Sequence, residues 1–148
     1  MSRRLLITLS LIVGLLAACS QPAPTVGEAK DFAAVCDKAN NGKRVAVEGY
    51  LRFPDSFTGD QSVVLRLYET DSFQGKPIGV QTEFGTQTNQ VDKVTDQFSD
   101  SDLHVHLANG QTAGFGQKVK VSGSVYFPLV GQEFDCALEN PLVEAANG

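Results

Sequence analysis

The chain has 148 residues, with 42% apolar and 20% charged side chains, fourteen glycines and no tryptophan. That is ordinary globular material, of a length that folds as one domain and buries about two-thirds of the unfolded chain's surface in one core. A multidomain enzyme is excluded, and stability needs neither a metal nor a dense disulfide framework.

Arg3 and Arg4 precede an apolar run from Leu5 to Leu16, interrupted only by Thr8, Ser10 and Gly14. The run is too short for an ordinary transmembrane helix, which needs ~20 residues, and has the length of a signal-peptide hydrophobic region. It ends in Leu16-Ala17-Ala18-Cys19. Small residues just before a cysteine resemble the lipobox of bacterial lipoproteins, in which cleavage falls before the cysteine and its thiol receives a diacylglyceryl group. The alternatives are a conventional secretory signal with an incidental cysteine, or an uncleaved anchor. The resemblance implies a signal peptide over residues 1–18, a lipidated N-terminus and linker over 19–28, and one domain over 29–148. The covalent lipid on Cys19 is then the only attached group expected, with no cofactor.

Removing the leader takes Arg3 and Arg4 with it, leaving ten basic against seventeen acidic side chains and a net charge of −7. Phosphate backbones repel such a surface, so nucleic acid is not expected as a partner. Multiple acylation at one residue, at ~0.8 kcal/mol per buried methylene, would hold the protein on the membrane. In cells with two membranes, the lipoprotein rule retains proteins bearing aspartate after the lipidated cysteine in the inner membrane. Ser20 is not that signal, which favours the outer membrane.

With Cys19 on lipid, Cys36 and Cys136 form an even pair in an oxidising compartment and are expected to be disulfide-bonded. The alternative is two separate buried thiols, because sequence does not give the Cβ separation that a bridge requires.

In chain order, Ser20–Glu28 reads as a Pro- and Gly-containing linker, reaching at most ~30 Å when stretched. Phe32, Val35, Cys36 and Ala39 share one helical face and predict a short N-terminal helix over 29–40, stopped by Asn41-Gly42. Period-two alternation then predicts strands at 44–53, 62–69, 77–84, 103–107, 117–127 and 133–143. Turn chemistry falls between them at Asp55, Gly59-Asp60, Gly75-Lys76-Pro77, Asn109-Gly110 and Gly131. Val91, Val94 and Phe98 stand at helical spacing and predict a second short helix over 89–99.

The segment Val45–Pro54 echoes Val119–Pro128 in the pattern V-x-V-x-G-x-[LV]-x-F-P. Glycine in the middle of a long alternating strand marks a bulge or sharp bend, as where a strand passes from one sheet into the next. Two such strands suit a small closed barrel. The stretches Gly42–Gly49 and Gly116–Gly123, followed by Phe134-Asp135-Cys136-Ala137-Leu138, resemble the oligonucleotide/oligosaccharide-binding (OB) barrel. More narrowly, they resemble the OB-like lipoproteins of the bacterial envelope, sometimes called tRNA-anti-like. The expected fold is mostly β, a small OB-like barrel of five to six strands with a short N-terminal helix.

An OB barrel binds on the face of its second and third strands, with aromatic platforms and a basic groove. Tyr50, Phe57, Tyr68, Phe73 and Phe84 are candidate platforms, while Arg52, Arg66 and Lys76 are diluted by Asp55, Asp60, Glu69 and Asp71. That leaves room for a protein or glycan ligand, or for aromatics that simply fill the barrel. His104 and His106, two apart on a strand and therefore on one face, could meet one metal with Asp96, Asp100 or Asp102 nearby. The other reading of that face is a solvated one. The chain lacks a G-x-S-x-G elbow and a glycine-rich phosphate loop, so no catalytic residue is assigned. The expected function is a non-catalytic binding or interaction module of the cell envelope, the alternatives being a metal-binding protein using His104 and His106 or a structural subunit of an envelope complex.

Overall fold

The computed structural model describes residues 22–129 and 133–147. Arg3, Arg4, the apolar leader, Cys19 and the turn at Gly131 lie outside them.

Among the described residues eight strands occur in chain order: β1 (Glu28–Ala29), β2 (Arg44–Arg52), β3 (Ser62–Tyr68), β4 (Ile78–Glu83), β5 (His104–His106), β6 (Thr112–Gly114), β7 (Lys118–Tyr126) and β8 (Ala137–Ala145). Five of them, in the order β2-β3-β4-β8-β7, close into a barrel because β7 also pairs with β2. The β4–β8 contact is parallel and short, from Gly79↔Ala137 to Val80↔Leu138; the other barrel ladders are antiparallel. β1 adds a two-residue parallel ladder to β2, and β5–β6 forms a separate hairpin between β4 and β7 in the chain.

The alternation of the sequence builds the core directly. Val45, Val47 and Leu51 of β2, Val63, Leu65 and Leu67 of β3, and Val119, Val121 and Val125 of β7 are buried inside the barrel. Each such side chain contributes about 1.5–3 kcal/mol when taken from water.

The echoed segments lie against each other. In the β2–β7 ladder Val47 faces Val121, Val45 faces Gly123 and Gly49 faces Val119, so each repeat's glycine opposes the other's first valine. Both glycines mark irregularities. β2 pairs with β7 through Tyr50 and with β3 from Tyr50 onward, so the partner changes beside Gly49. At Gly123 the β7–β8 register shifts by one: Ser122 faces Leu142 while Ser124 faces Glu139, so Asn140 and Pro141 together stand opposite Gly123.

Both expected helices are absent. Over 29–40 the chain makes two three-residue 3-10 turns, Phe32–Ala34 and Lys38–Asn40, separated by an extended Asp37. Val35 is fully buried, and the Asn40 side chain donates to the carbonyls of Ala34 and Val35 in place of helical partners. The second segment, 89–99, is held open by Val91, whose N–H donates to Glu83 O and whose carbonyl accepts from Gly85 N–H. Val91 also bridges to Phe84 and Val105, so its helical spacing with Val94 and Phe98 serves packing on the core. A 3-10 turn follows at Asp100–Asp102. The last strand begins at Ala137 and runs to Ala145, later than the alternation predicts.

Cys36 and Cys136 are disulfide-bonded, with Cα atoms 5.4 Å apart across 100 positions of sequence. The bridge fastens the N-terminal turns to the residue that precedes β8, whose carbonyl accepts from Gly79 N–H at the β4–β8 seam.

Candidate functional site

The five candidate platform aromatics divide into two groups. Phe57 and Phe84 join Phe53 and Phe98 in one cluster, with ring centroids 5.3 Å apart for Phe57–Phe84, 5.0 Å for Phe57–Phe98 and 5.2 Å for Phe53–Phe98. Phe53 is fully buried and the other three pack against the core. Phe53 thus belongs to the core, and the three half-buried rings cover its edge.

Tyr50, Tyr68 and Phe73 lie elsewhere. Tyr50 faces Tyr68 across the β2–β3 ladder, and Phe73 meets Tyr68 edge-on at 5.6 Å. Phe115 stacks on Phe73 at 4.6 Å with the ring planes 12° apart, and the Arg52 guanidinium lies 5.9 Å from the Phe73 centroid. Phe73 holds φ at +53°, uncommon for a bulky side chain, and Phe115 is 40% exposed. The alternation passes over Phe115, but its setting between Gly114 and Gly116 in a turn was a legible sign of an aromatic with no strand to pack into.

The cations beside these rings are already paired. Arg52 Nε lies 3.0 Å from both carboxylate oxygens of Asp100. Arg66, nearly buried, donates to Glu133 at 2.5 and 2.7 Å and pairs with Asp55 at 3.1 Å, while Lys76 pairs with Asp135. The hydrogen bond that Arg52 donates to Asp100 raises the pKa of Arg52, and the bond from Arg66 holds the Asp55 carboxyl below its ordinary range.

His104 and His106 stand on β5 as the two-residue spacing requires, but their acidic neighbour is Asp92. His106 Nε2 bonds Asp92 Oδ1 at 2.7 Å and His104 Nδ1 lies 3.9 Å from Asp92 Oδ2. Of the carboxylates expected nearby, Asp100 is bound to Arg52. Asp102 accepts from Ser99 N–H at 2.7 Å and Ser99 Oγ at 2.9 Å, bonds that lower its pKa. Among the described residues no group of three or more His, Cys, Asp or Glu side chains is arranged to hold a metal ion.

One concavity was not legible in the sequence. It is a groove of ≈ 820 Å³ that opens where the β4–β8 ladder ends, walled by Gln81–Gly85 on one side and Glu139–Pro141 on the other, with Gln61, Asn89 and Gln90 among its lining. Of the three described non-glycine residues with positive φ, two line it: Asn89 at +68° and Asn140 at +49°. Asn89 ties the groove floor together. Its carbonyl accepts from Thr82 Oγ1 at 2.7 Å, its Oδ1 from Val143 N–H at 2.8 Å, and its N–H donates to His106 O at 2.8 Å. Arg44 binds the carbonyls of Thr25 and Asn140, which brings the segment containing Pro24 to the groove rim. Sequence signals existed only in retrospect: an Asn-Pro step inside a strand and an amide-rich run at 87–90.

No protein-family model matches the chain, and no curated protein is recognisably similar to it.

Proposed function

We propose that this chain is an extracytoplasmic lipoprotein, anchored through lipid on Cys19, whose OB-like barrel acts as a non-catalytic binding and interaction module of the cell envelope. The observation that carries the reading is the cysteine arrangement. Cys36 and Cys136 are bonded, a state that persists in oxidising compartments, and the remaining cysteine is the one behind the apolar leader and Ala17-Ala18. The strand order and the parallel β4–β8 closure support the resemblance to the OB barrel. Net acidity argues for partners other than nucleic acid. Where the cell has two membranes, Ser20 favours the outer one.

Labelling cells with radioactive palmitate tests the anchor. The wild-type protein is expected to take up label and lose its leader, whereas Cys19→Ser does neither. An unlabelled wild-type protein, or a labelled Cys19→Ser variant, overturns the reading.

A second role, as a structural subunit, is favoured by the exposed Phe73–Phe115 stack. A photo-crosslinking side chain placed at Phe115 should then capture one reproducible envelope protein, and the absence of any such adduct in intact cells removes this role.

A further inference from the structure

We propose that an apolar hollow at the end of β7, tipped by Leu129, is a membrane-contact surface that lies against the lipid layer holding the anchor. This contact rests on the lipid-anchored reading of Cys19 and goes beyond it by naming the face of the barrel that meets the bilayer.

The hollow, ≈ 440 Å³, is lined by Val64, Tyr126, Phe127, Pro128, Leu129 and Phe134, a set whose one polar side-chain atom is the Tyr126 hydroxyl. That hydroxyl already donates to Gln81 Oε1 at 3.3 Å. Leu129 is 89% exposed, against 56% for Val26 and 40% for Phe115. A lone exposed leucine would need no explanation, but one on the lip of an apolar hollow marks a surface that a protein or a membrane covers.

The linker decides between the two. Arg44 binds the Thr25 carbonyl, Glu28 pairs with Val45, and Lys30 N–H donates to Ala46 O, so the linker runs along the barrel instead of hanging from it. Pro24, the neighbour of Thr25, stands five positions after Cys19, a span of at most ~17 Å. Even a 100-residue domain is wider, at about twice its ~13 Å radius of gyration, so beside this part of the barrel the bilayer fits and a second folded protein does not.

The hollow lies on that side. Arg44 faces Ser124 in the β2–β7 ladder, and Val125 exchanges hydrogen bonds with Gly42 and Lys43. β7 therefore runs out beside the linker's attachment and passes directly into Phe127–Leu129. Gln81, which accepts from Tyr126, also lines the groove whose rim carries Pro24. Phe115 is at the opposite end of β7, whose nine residues span ~30 Å. Charge fixes the kind of contact. Anionic headgroups attract basic clusters, and this chain carries a net charge of −5, so the contact is apolar and is populated because the anchor makes it intramolecular.

The chain has no tryptophan, so a single introduced indole reports its own position. Leu129→Trp and Phe115→Trp, both at exposed positions, are purified as full chains, checked for acylation of Cys19 by intact mass, and reconstituted into phosphatidylcholine vesicles with or without bromine on the upper acyl chains. Leu129→Trp should lose at least about half its emission to the brominated lipid, since a side chain ~5–10 Å into the headgroup–acyl boundary lies beside the bromines. Phe115→Trp, which carries the same indole at the far end, should be unaffected. Quenching should persist in ~1 M salt, where charges are screened within ~3 Å. With Cys19 acylated, an unquenched Leu129→Trp, equal quenching of both variants, or loss of quenching in salt overturns the membrane contact and leaves the anchor standing; the first of these assigns the hollow to a protein instead. A chain that is not acylated at Cys19 overturns the anchored reading itself, and the contact with it.

Discussion

Asn89 joins three strands that the sequence pattern does not connect. It sits in the left-handed region and satisfies groups on β4, β5 and β8 at once. Alanine there keeps an unfavourable backbone conformation and leaves the Val143 N–H unpaired. Asn89→Ala should therefore lose about 2–4 kcal/mol in urea unfolding, and a loss below ~1 kcal/mol would contradict the role assigned to it. Acid sensitivity is also set by individual residues. Glu28, Asp55 and Asp102 are held below their ordinary range by Lys30, by Arg66 and by the Ser99 backbone N–H, respectively. A carboxyl whose pKa is depressed by folding stabilises above its unfolded value and gives that contribution up as pH falls. The thermal midpoint should thus be level through neutrality and fall below about pH 4; a midpoint that rose on acidification would contradict the pairings.

Elements were the most legible scale. Alternation located the five barrel strands, because a period of two leaves no other way to bury Val45, Val47, Leu51 and their counterparts on β3 and β7. The mid-strand glycines were legible for the same reason, since each interrupts a pattern that otherwise puts a side chain at every position. A Cβ at Gly49 would stand 2.5 Å from the Tyr68 carbonyl oxygen, an obstacle that belongs to backbone and cannot swing aside. Gly49→Ala should destabilise the barrel by about 1–3 kcal/mol, as measured by chemical denaturation, and an unchanged midpoint would show that β2 and β3 separate freely there. The helical expectations failed because spacing reports which residues are buried together and leaves the backbone's hydrogen-bond partners open. Val35 meets the core through a 3-10 turn, Cys36 through its bond to Cys136, and Val91 through bonds to Glu83 and Gly85 in place of helical ones. The groove escaped for a related reason: it arises from the divergence of β4 and β8, which are neighbours only in space.

At the scale of the whole molecule, the disulfide joins the first turns to the last strand and closes 100 positions into one loop. By loop entropy such a bond contributes up to ~4.7 kcal/mol, with ~2–4 more usual. Reduction should lower the unfolding midpoint while leaving the five-strand barrel folded at neutral pH, and an unchanged midpoint in reductant would deny the bridge a share in stability. Cysteine parity made this bond legible, because two sulfurs were left once the first was assigned to lipid. The leader carries the expectation of location, whereas the groove residues Gln61, Gln81 and Asn140 are brought together only by the folded barrel. The account stands on the chemistry of Cys19, and intact-mass spectrometry of the protein purified from the membrane fraction examines it most directly. The predicted result is a chain beginning at Cys19 and heavier than its sequence by a diacylglyceryl group and further acylation; a chain with an unmodified Cys19 would contradict it.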